Sequence, residues 1–356
     1  MRRLLLGAVL LILACEGAAT LPAPSQSAGT PIPHIDVNDM MGAFPAATFF
    51  VVTNDGVTAV ALLNHMTKYT IPTSGAVQVA TAVAPPLTPS AGWVYVADEI
   101  AEGTRLRWID AVNGQVLATW TERSRKLVAT GIGHGALAVE PTTGRVLALY
   151  STDGGGRIVE AYDPHTLRPL GKRLETNCGD RLLAAANRIV VPCFADGTLV
   201  ITDGVDPRVV QAGLGTLIAA AMSVDGTTLV GRHDGTLAQI RPAQIAVEKI
   251  EAFRPATLAP DGIASPESQS FAIALLTSDS SLGISELRSG RRYISFPAAS
   301  GASQPLASPL GGLLAQGQFA FWSTGREARH IDLTHGFAET MTVFNGTLAL
   351  PGGVGQ

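Results

Sequence analysis

The residues able to do chemistry are few and scattered along this 356-residue chain. Its cysteines are Cys15, Cys178 and Cys193, and no C-x-x-C or H-x-x-x-H spacing accompanies the later pair, which weighs against a zinc site. A G-x-S-x-G elbow, a Walker loop, an H-E-x-x-H helix and a haem-binding C-x-x-C-H are all missing. Asp98, Glu99 and Glu102 crowd one hairpin, where grouped carboxylates ordinarily serve solubility. The candidate binding rim is polar: Arg123, Arg125, Lys126 and His134 on one connection, and Asp180 and Arg181 on another. Ordinary solvated loop charge is the competing reading of those six residues. No catalytic residue, cofactor or metal ligand is assigned.

The N-terminus reads as an export signal. Arg2 and Arg3 precede the apolar run 4–14, long enough for a signal h-region and too short to span a bilayer as a helix. That run ends in Ile12-Leu13-Ala14-Cys15, which resembles a bacterial lipobox, where the cysteine is lipidated and becomes the mature N-terminus. Cleavage after Ala19, at Gly17-Ala18-Ala19, is the alternative and would leave a soluble secreted or periplasmic chain. Residues 15–47 are rich in Pro, Ala, Ser and Thr and lack sustained alternation, as suits a solvated tether. The expected location is therefore a membrane-anchored lipoprotein facing the periplasm or the cell exterior. In that oxidising setting Cys178 and Cys193 read first as a disulfide, and second as two buried thiols.

Composition narrows the class of fold and of partner. The chain is 46% hydrophobic and 15% charged, with 38 Gly and 22 Pro spaced between short apolar runs, which suits strands punctuated by turns. A net charge of −4 without any dense Lys/Arg block disfavours nucleic acid as a partner.

Three series of turns repeat in phase. Hairpin signals occur at Asn54-Asp55-Gly56, Glu102-Gly103, Asp153-Gly154-Gly155-Gly156, Asp196-Gly197, Asp234-Gly235, Ser281-Leu282-Gly283 and Thr324-Gly325. A second series follows each by one strand, running from Asn64 to Asp332 at about 45 residues per repeat, within the range of four-stranded propeller blades. A third, including Pro141-Thr142-Thr143-Gly144, Val224-Asp225-Gly226 and Pro260-Asp261-Gly262, precedes the hairpins. Upstream of it lie runs of small residues, such as 182–186 and 218–222, suited to innermost strands crowded near an axis. The pattern predicts an all-β, seven-bladed β-propeller of four-stranded antiparallel blades over residues 48–353. The first blade lacks an innermost strand of its own, and residues 347–350 are expected to supply it and close the ring.

Trp93-Val94-Tyr95-Val96-Ala97, then Leu106-Arg107-Trp108-Ile109-Asp110 and Gly114-Gln115-Val116-Leu117-Ala118-Thr119, resemble the YVTN-type β-propeller repeat, which Val51-Val52-Thr53-Asn54 echoes. The later blades depart from it, with Arg241 and Arg288 where the repeat usually has Asp. The resemblance implies a bacterial extracytoplasmic propeller. With the anchor, the tether and the missing catalytic motifs, the expectation is a non-catalytic binding or scaffold protein presenting one loop face to a protein, peptide or glycan. The alternative the resemblance carries is an enzyme or enzyme subunit, like the propeller chains of quinone-linked amine dehydrogenases or strand-rich lactonases.

Overall fold

The computed structural model describes most residues from Thr48 to Ala349, with side chains mainly from Phe50 to Arg241 and beyond that at Ile263, Phe271 and Leu287. Residues 1–47, including Cys15 and the expected signal segment and tether, lie outside the described residues, as do 129–134 with His134, 298–311, 350–356 and shorter stretches in turns. All described residues fall within one unit, Val37–Gln356.

Among these residues the chain forms seven antiparallel sheets and no helix. The first begins with β1 (Thr48–Val52), β2 (Gly56–Ala61) and β3 (Thr67–Pro72). The second is β4 (Val77–Val83), β5 (Gly92–Ile100), β6 (Gly103–Asp110) and β7 (Val116–Glu122). In the third, β10 (Val146–Ser151), β11 (Arg157–Tyr162) and β12 (Pro169–Thr176) are joined on the β10 edge by two short pieces, β8 (Lys126–Leu127) and β9 (Leu137–Val139). The fourth is β13 (Leu183–Ala185), β14 (Arg188–Cys193), β15 (Thr198–Thr202) and β16 (Pro207–Val210). The fifth is β17 (Leu217–Met222), β18 (Thr228–Arg232), β19 (Leu237–Ile240) and β20 (Val247–Ile250). The sixth is β21 (Thr257–Glu267), β22 (Ser270–Leu276), β23 (Ser281–Glu286) and β24 (Arg292–Pro297). The seventh is β25 (Gly312–Gln316), β26 (Phe319–Ser323), β27 (Ala328–Asp332) and β28 (Phe337–Thr340). Finally β29 (Thr347–Ala349) pairs antiparallel with β1, Leu348 opposite Val51, as a fourth strand of the first sheet.

Local chemistry explains the strand boundaries. At Asp234-Gly235 the glycine takes a φ of 81°, and Asp234 Oδ1 accepts hydrogen bonds from Thr236 N at 2.9 Å and Thr236 Oγ1 at 2.6 Å, closing the β18–β19 hairpin. The sixth sheet departs from the turn signals. Pro260-Asp261-Gly262 lies inside β21, where the register with β22 jumps between Leu258 and Ile263, so turn-type residues are absorbed as an irregularity within a paired strand. Likewise Ser281-Leu282-Gly283 opens β23 rather than forming the preceding turn. In both places pairing with the neighbouring strand overrides local turn preference.

Burial falls from the inner to the outer strand. All six residues of β14 are buried, whereas most of outermost β12 is exposed. Apolar clusters lie between consecutive sheets: Phe50, Val57, Val94 and Val96 join the first to the second. Tyr95, Leu106, Tyr150, Tyr162 and Val191 join the second, third and fourth. Val190, Ile201, Leu217 and Ile240 join the fourth to the fifth, and Leu229, Ile263 and Phe271 the fifth to the sixth. Sheets that bury both faces in this way need their inner strands apolar throughout, which is why β13, β14 and β17 read as small or β-branched runs instead of alternating. The innermost strands touch in succession: β4 meets β9, β9 meets β13, β13 meets β17, β17 meets β21 and β21 meets β25, while β29 meets both β25 and β4.

Candidate functional site

Antiparallel pairing gathers two segments at one end of each sheet: the chain entering the innermost strand, and the hairpin between the second and third strands. In the second sheet Val77 lies opposite Asp98, and Ile100 opposite Gly103. Asp98 is fully buried and accepts hydrogen bonds from Arg105 Nε (3.1 Å) and Nη2 (2.6 Å), from Arg107 Nη2 (3.3 Å) and from the Ser74 amide (3.0 Å). Arg107 also donates to the Pro72 carbonyl at 2.9 Å. A buried carboxylate is tolerated only with partners of this kind. The network clamps residues 72–74, arriving from the first sheet, onto the second. Solubility therefore describes exposed Glu102 and not Asp98. Burial pulls the Arg107 pKa below its ordinary value, while the hydrogen bond to Asp98 raises that of the more exposed Arg105.

The third sheet repeats the device with other residues. Glu160, fully buried on β11, accepts from Arg125 Nη1 at 2.8 Å and from Arg173 Nε at 2.7 Å. Arg125 stands on the segment leaving the second sheet, and its carbonyl accepts from Thr104 Oγ1 at 2.8 Å. Beneath it the Tyr150 and Tyr162 hydroxyls are 2.8 Å apart, and burial drives both phenol pKa values well up.

The fourth sheet closes its entering segment covalently. Cys178 and Cys193 form a disulfide with Cα atoms 5.6 Å apart, the pairing expected of the two later cysteines. Asp180 reinforces it, accepting from the Phe194 amide at 2.6 Å and donating its own amide to the Pro192 carbonyl at 2.9 Å. Arg157 of the third sheet donates to the Gly179 carbonyl at 3.1 Å. Arg181 is only 8% exposed and donates to the Ala220 carbonyl, with its guanidinium 5.9 Å from the Phe194 ring centre. The Phe194 carbonyl then accepts from the Leu217 amide at 2.8 Å, tying the fourth sheet to the fifth.

Of the rim residues, Arg125, Asp180 and Arg181 are thus engaged within the fold, whereas Arg123 and Lys126 are exposed beside them. Farther along the same end a cavity of about 520 Å³ opens between Leu214, Gly215 and Thr216 and the hairpin residues Arg232, His233 and Asp234. In the sequence Asp98 reads only as one of three carboxylates on a hairpin, and neither Glu160 nor this cavity stands out. The hairpin turns at Ala101-Glu102, which puts Asp98 opposite Arg105, so counting back from that turn is the signal that pairs them.

At the opposite end, Tyr69 donates its hydroxyl to the Ala111 carbonyl (2.7 Å) and Tyr95 to the Pro164 carbonyl (3.2 Å). Trp93 and Trp108 meet edge to face at 4.9 Å between ring centres, with His165 of the third sheet 5.1 Å and 5.2 Å from them. These aromatic side chains pack neighbouring sheets together.

Consecutive four-stranded antiparallel sheets, stacked face to face with small inner strands, define a β-propeller. Solved structures agree. The chain is similar to the structure of U3-55K (TM-score 0.55, 13% identity, covering 86% of this chain and 92% of that one). It is similar to the WD40 repeats of RRP9 (TM-score 0.54, 13% identity, 78% and 83%). It is also similar to the dihydro-heme d1 dehydrogenase NirN in complex with DHE (TM-score 0.50, 16% identity, 82% and 62%). At these identities the likeness carries the fold alone. No family model matches the chain, and no curated protein does.

Proposed function

We propose that this chain is an exported seven-bladed propeller, closed by its C-terminal strand and held at a membrane surface through a lipid on Cys15, that presents one loop face to a protein, peptide or glycan partner. The pairing of β29 with β1 and the succession of contacts from β4 through β25 back to β29 support the seven-membered ring. The run ending in Ile12-Leu13-Ala14-Cys15 supports the anchor.

The observation that carries the binding reading is the fastening of one end. Buried Asp98, buried Glu160 and the Cys178–Cys193 bond each fix an entering segment there, while Arg123 and Lys126 stay exposed among them. A preorganised face loses little conformational freedom on binding, so more of its contact energy appears as affinity.

A photo-crosslinking residue at Arg123, compared with one at Lys172 on outer strand β12, tests the reading in native membranes. A discrete adduct from Arg123 alone is the expected result; equal labelling at both positions, or none, contradicts it. Cys15→Ser should move the protein from the membrane to the soluble fraction, and retention on the membrane contradicts the lipid anchor. Metal analysis of the purified protein separates this reading from the enzyme alternative, because stoichiometric metal with converging carboxylates would argue for chemistry at the channel mouth.

A further inference from the structure

Three arginines carry a buried Nε without a hydrogen-bond partner among the described residues: Arg107, Arg188 and Arg232. The first two use other guanidinium nitrogens inside the fold, Arg107 on Asp98 and the Pro72 carbonyl and Arg188 on the Gly226 carbonyl. Arg232 makes no such bond among the described residues, and it alone of the three lines the cavity of about 520 Å³. A cation that is partly withdrawn from water and unanswered among the described residues is a candidate site for an anion, because desolvation of a charged donor is costly until it is paired.

The walls of that cavity are held in place. Arg232 ends β18 opposite Leu217, and the His233 amide donates to the Thr216 carbonyl at 2.9 Å, which joins the two walls. A Cβ built on Gly215 would meet nothing within 4 Å, so that wall fronts open space. From the other side a Cβ on Gly197 would fall 2.2 Å from the Gly215 carbonyl oxygen, so the hairpin of the fourth sheet lies directly against the same wall. That hairpin begins at Phe194, next to the disulfide. The cavity is thus braced by the same covalent clasp that fixes the entering segment of the fourth sheet.

The charge of the lining selects the ligand. Arg232 supplies a planar fork of donors suited to a carboxylate, and Asp234 adds one negative charge at the hairpin tip. Together they favour a monoanion over a doubly charged phosphate, which Asp234 would repel. Buried Leu214 gives an apolar wall, and the volume lies within the usual range for small-ligand sites, about 300–1,000 Å³.

We propose that this cavity binds a carboxylate of a peptide ligand, with Arg232 pairing the carboxylate and the Leu214–Thr216 wall enclosing the residue that bears it. The proposal deepens the binding-face reading and rests on it for the use of this end of the sheets. Its test is independent of partner capture: a free carboxylate can bind the cavity although no adduct forms at Arg123, and the reverse.

The full chain would be titrated at millimolar concentration with N-acetyl-alanine, N-acetyl-alanine amide, N-acetyl-glutamate α-amide and inorganic phosphate, following backbone amide resonances by nuclear magnetic resonance. Saturable shifts at Gly215, Thr216 and His233 with a carboxylate and none with the neutral amide are expected. A stronger response to N-acetyl-alanine identifies a chain terminus as the source, and a stronger response to the glutamate derivative an acidic side chain; both support the site. Arg232→Gln should weaken binding at least roughly tenfold with an unchanged melting midpoint. Equal shifts with the neutral amide, tighter binding of phosphate, no saturable shift in the wild-type chain, or undiminished binding in a folded Arg232→Gln variant would each overturn the proposal. The amide comparison is made on wild-type protein, so it decides the question even where the variant is unstable.

Discussion

The second and third sheets hold their entering segments with buried carboxylates, whereas the fourth uses a sulfur–sulfur bond. In each case the anchored segment crosses from one sheet to the next, and the anchor sits on or beside the strands that receive it: Asp98 on β5, Glu160 on β11 and Cys193 at the end of β14. The difference lies in what each fastener depends on. Asp98 is 0% exposed with four donors around it, so the charge and its partners stand or fall together. Glu160 shares one oxygen between two arginines, one of them 49% exposed, and solvent screens that half of the network. The disulfide depends on neither charge nor solvent. One fold therefore fixes one loop face by three routes, separable by mutation, reduction and salt.

Asp98→Ala leaves Arg107 buried without its carboxylate and should cost about 3–5 kcal/mol, read from urea unfolding. A loss under 1 kcal/mol would mean the network is no fastener. Cys178→Ser combined with Cys193→Ser removes a cross-link between residues separated by 15 positions and should cost about 3 kcal/mol. Reduction of the wild-type protein should reproduce that loss, and the Asp98 variant should show the same further loss on reduction, because the two fasteners sit in different sheets. Glu160→Gln keeps the shape and removes the charge, with an expected cost of about 2 kcal/mol that shrinks in high salt.

Tyr150→Phe removes one hydroxyl of the buried pair and should cost about 1 kcal/mol at neutral pH. Burial raises the folded pKa values of Tyr150 and Tyr162 above that of an unfolded tyrosine. Their contribution is accordingly complete below about pH 10 and is lost as pH rises above it towards the folded values. Alkaline unfolding of Tyr150→Phe should show a shallower dependence on pH than the wild-type protein, and an identical slope would remove this pair from the alkaline limb.

Much of the fold was legible because turn residues punctuate it at a constant period. Asp153-Gly154-Gly155-Gly156, Asp196-Gly197 and Asp234-Gly235 each fall between the expected strands, and the small-residue runs 182–186 and 218–222 contain β13 and lie within β17. The period blurred where turn chemistry was absorbed into longer pairing, as at Pro260-Asp261-Gly262 within β21. The site was less legible, since its fasteners depend on register and on contacts between sheets. Asp98 and Arg105 can be paired by counting from their hairpin, but Arg125 reaches Glu160 across 35 residues and a change of sheet. Arg232 shows nothing unusual until the wall formed by residues 214–216 is set beside it.

The proposed ring depends on the pairing of β29 with β1, which would hold the seven sheets to a common face. Cysteines replacing Val51 and Leu348, which lie opposite each other in that pairing, test it most directly. The account predicts that mild oxidation links residues 51 and 348 in nearly all molecules, detected as a cross-linked peptide by mass spectrometry, with a cooperative melt at a higher midpoint. Free thiols at both positions after oxidation, in protein that melts as the wild type does, would contradict it.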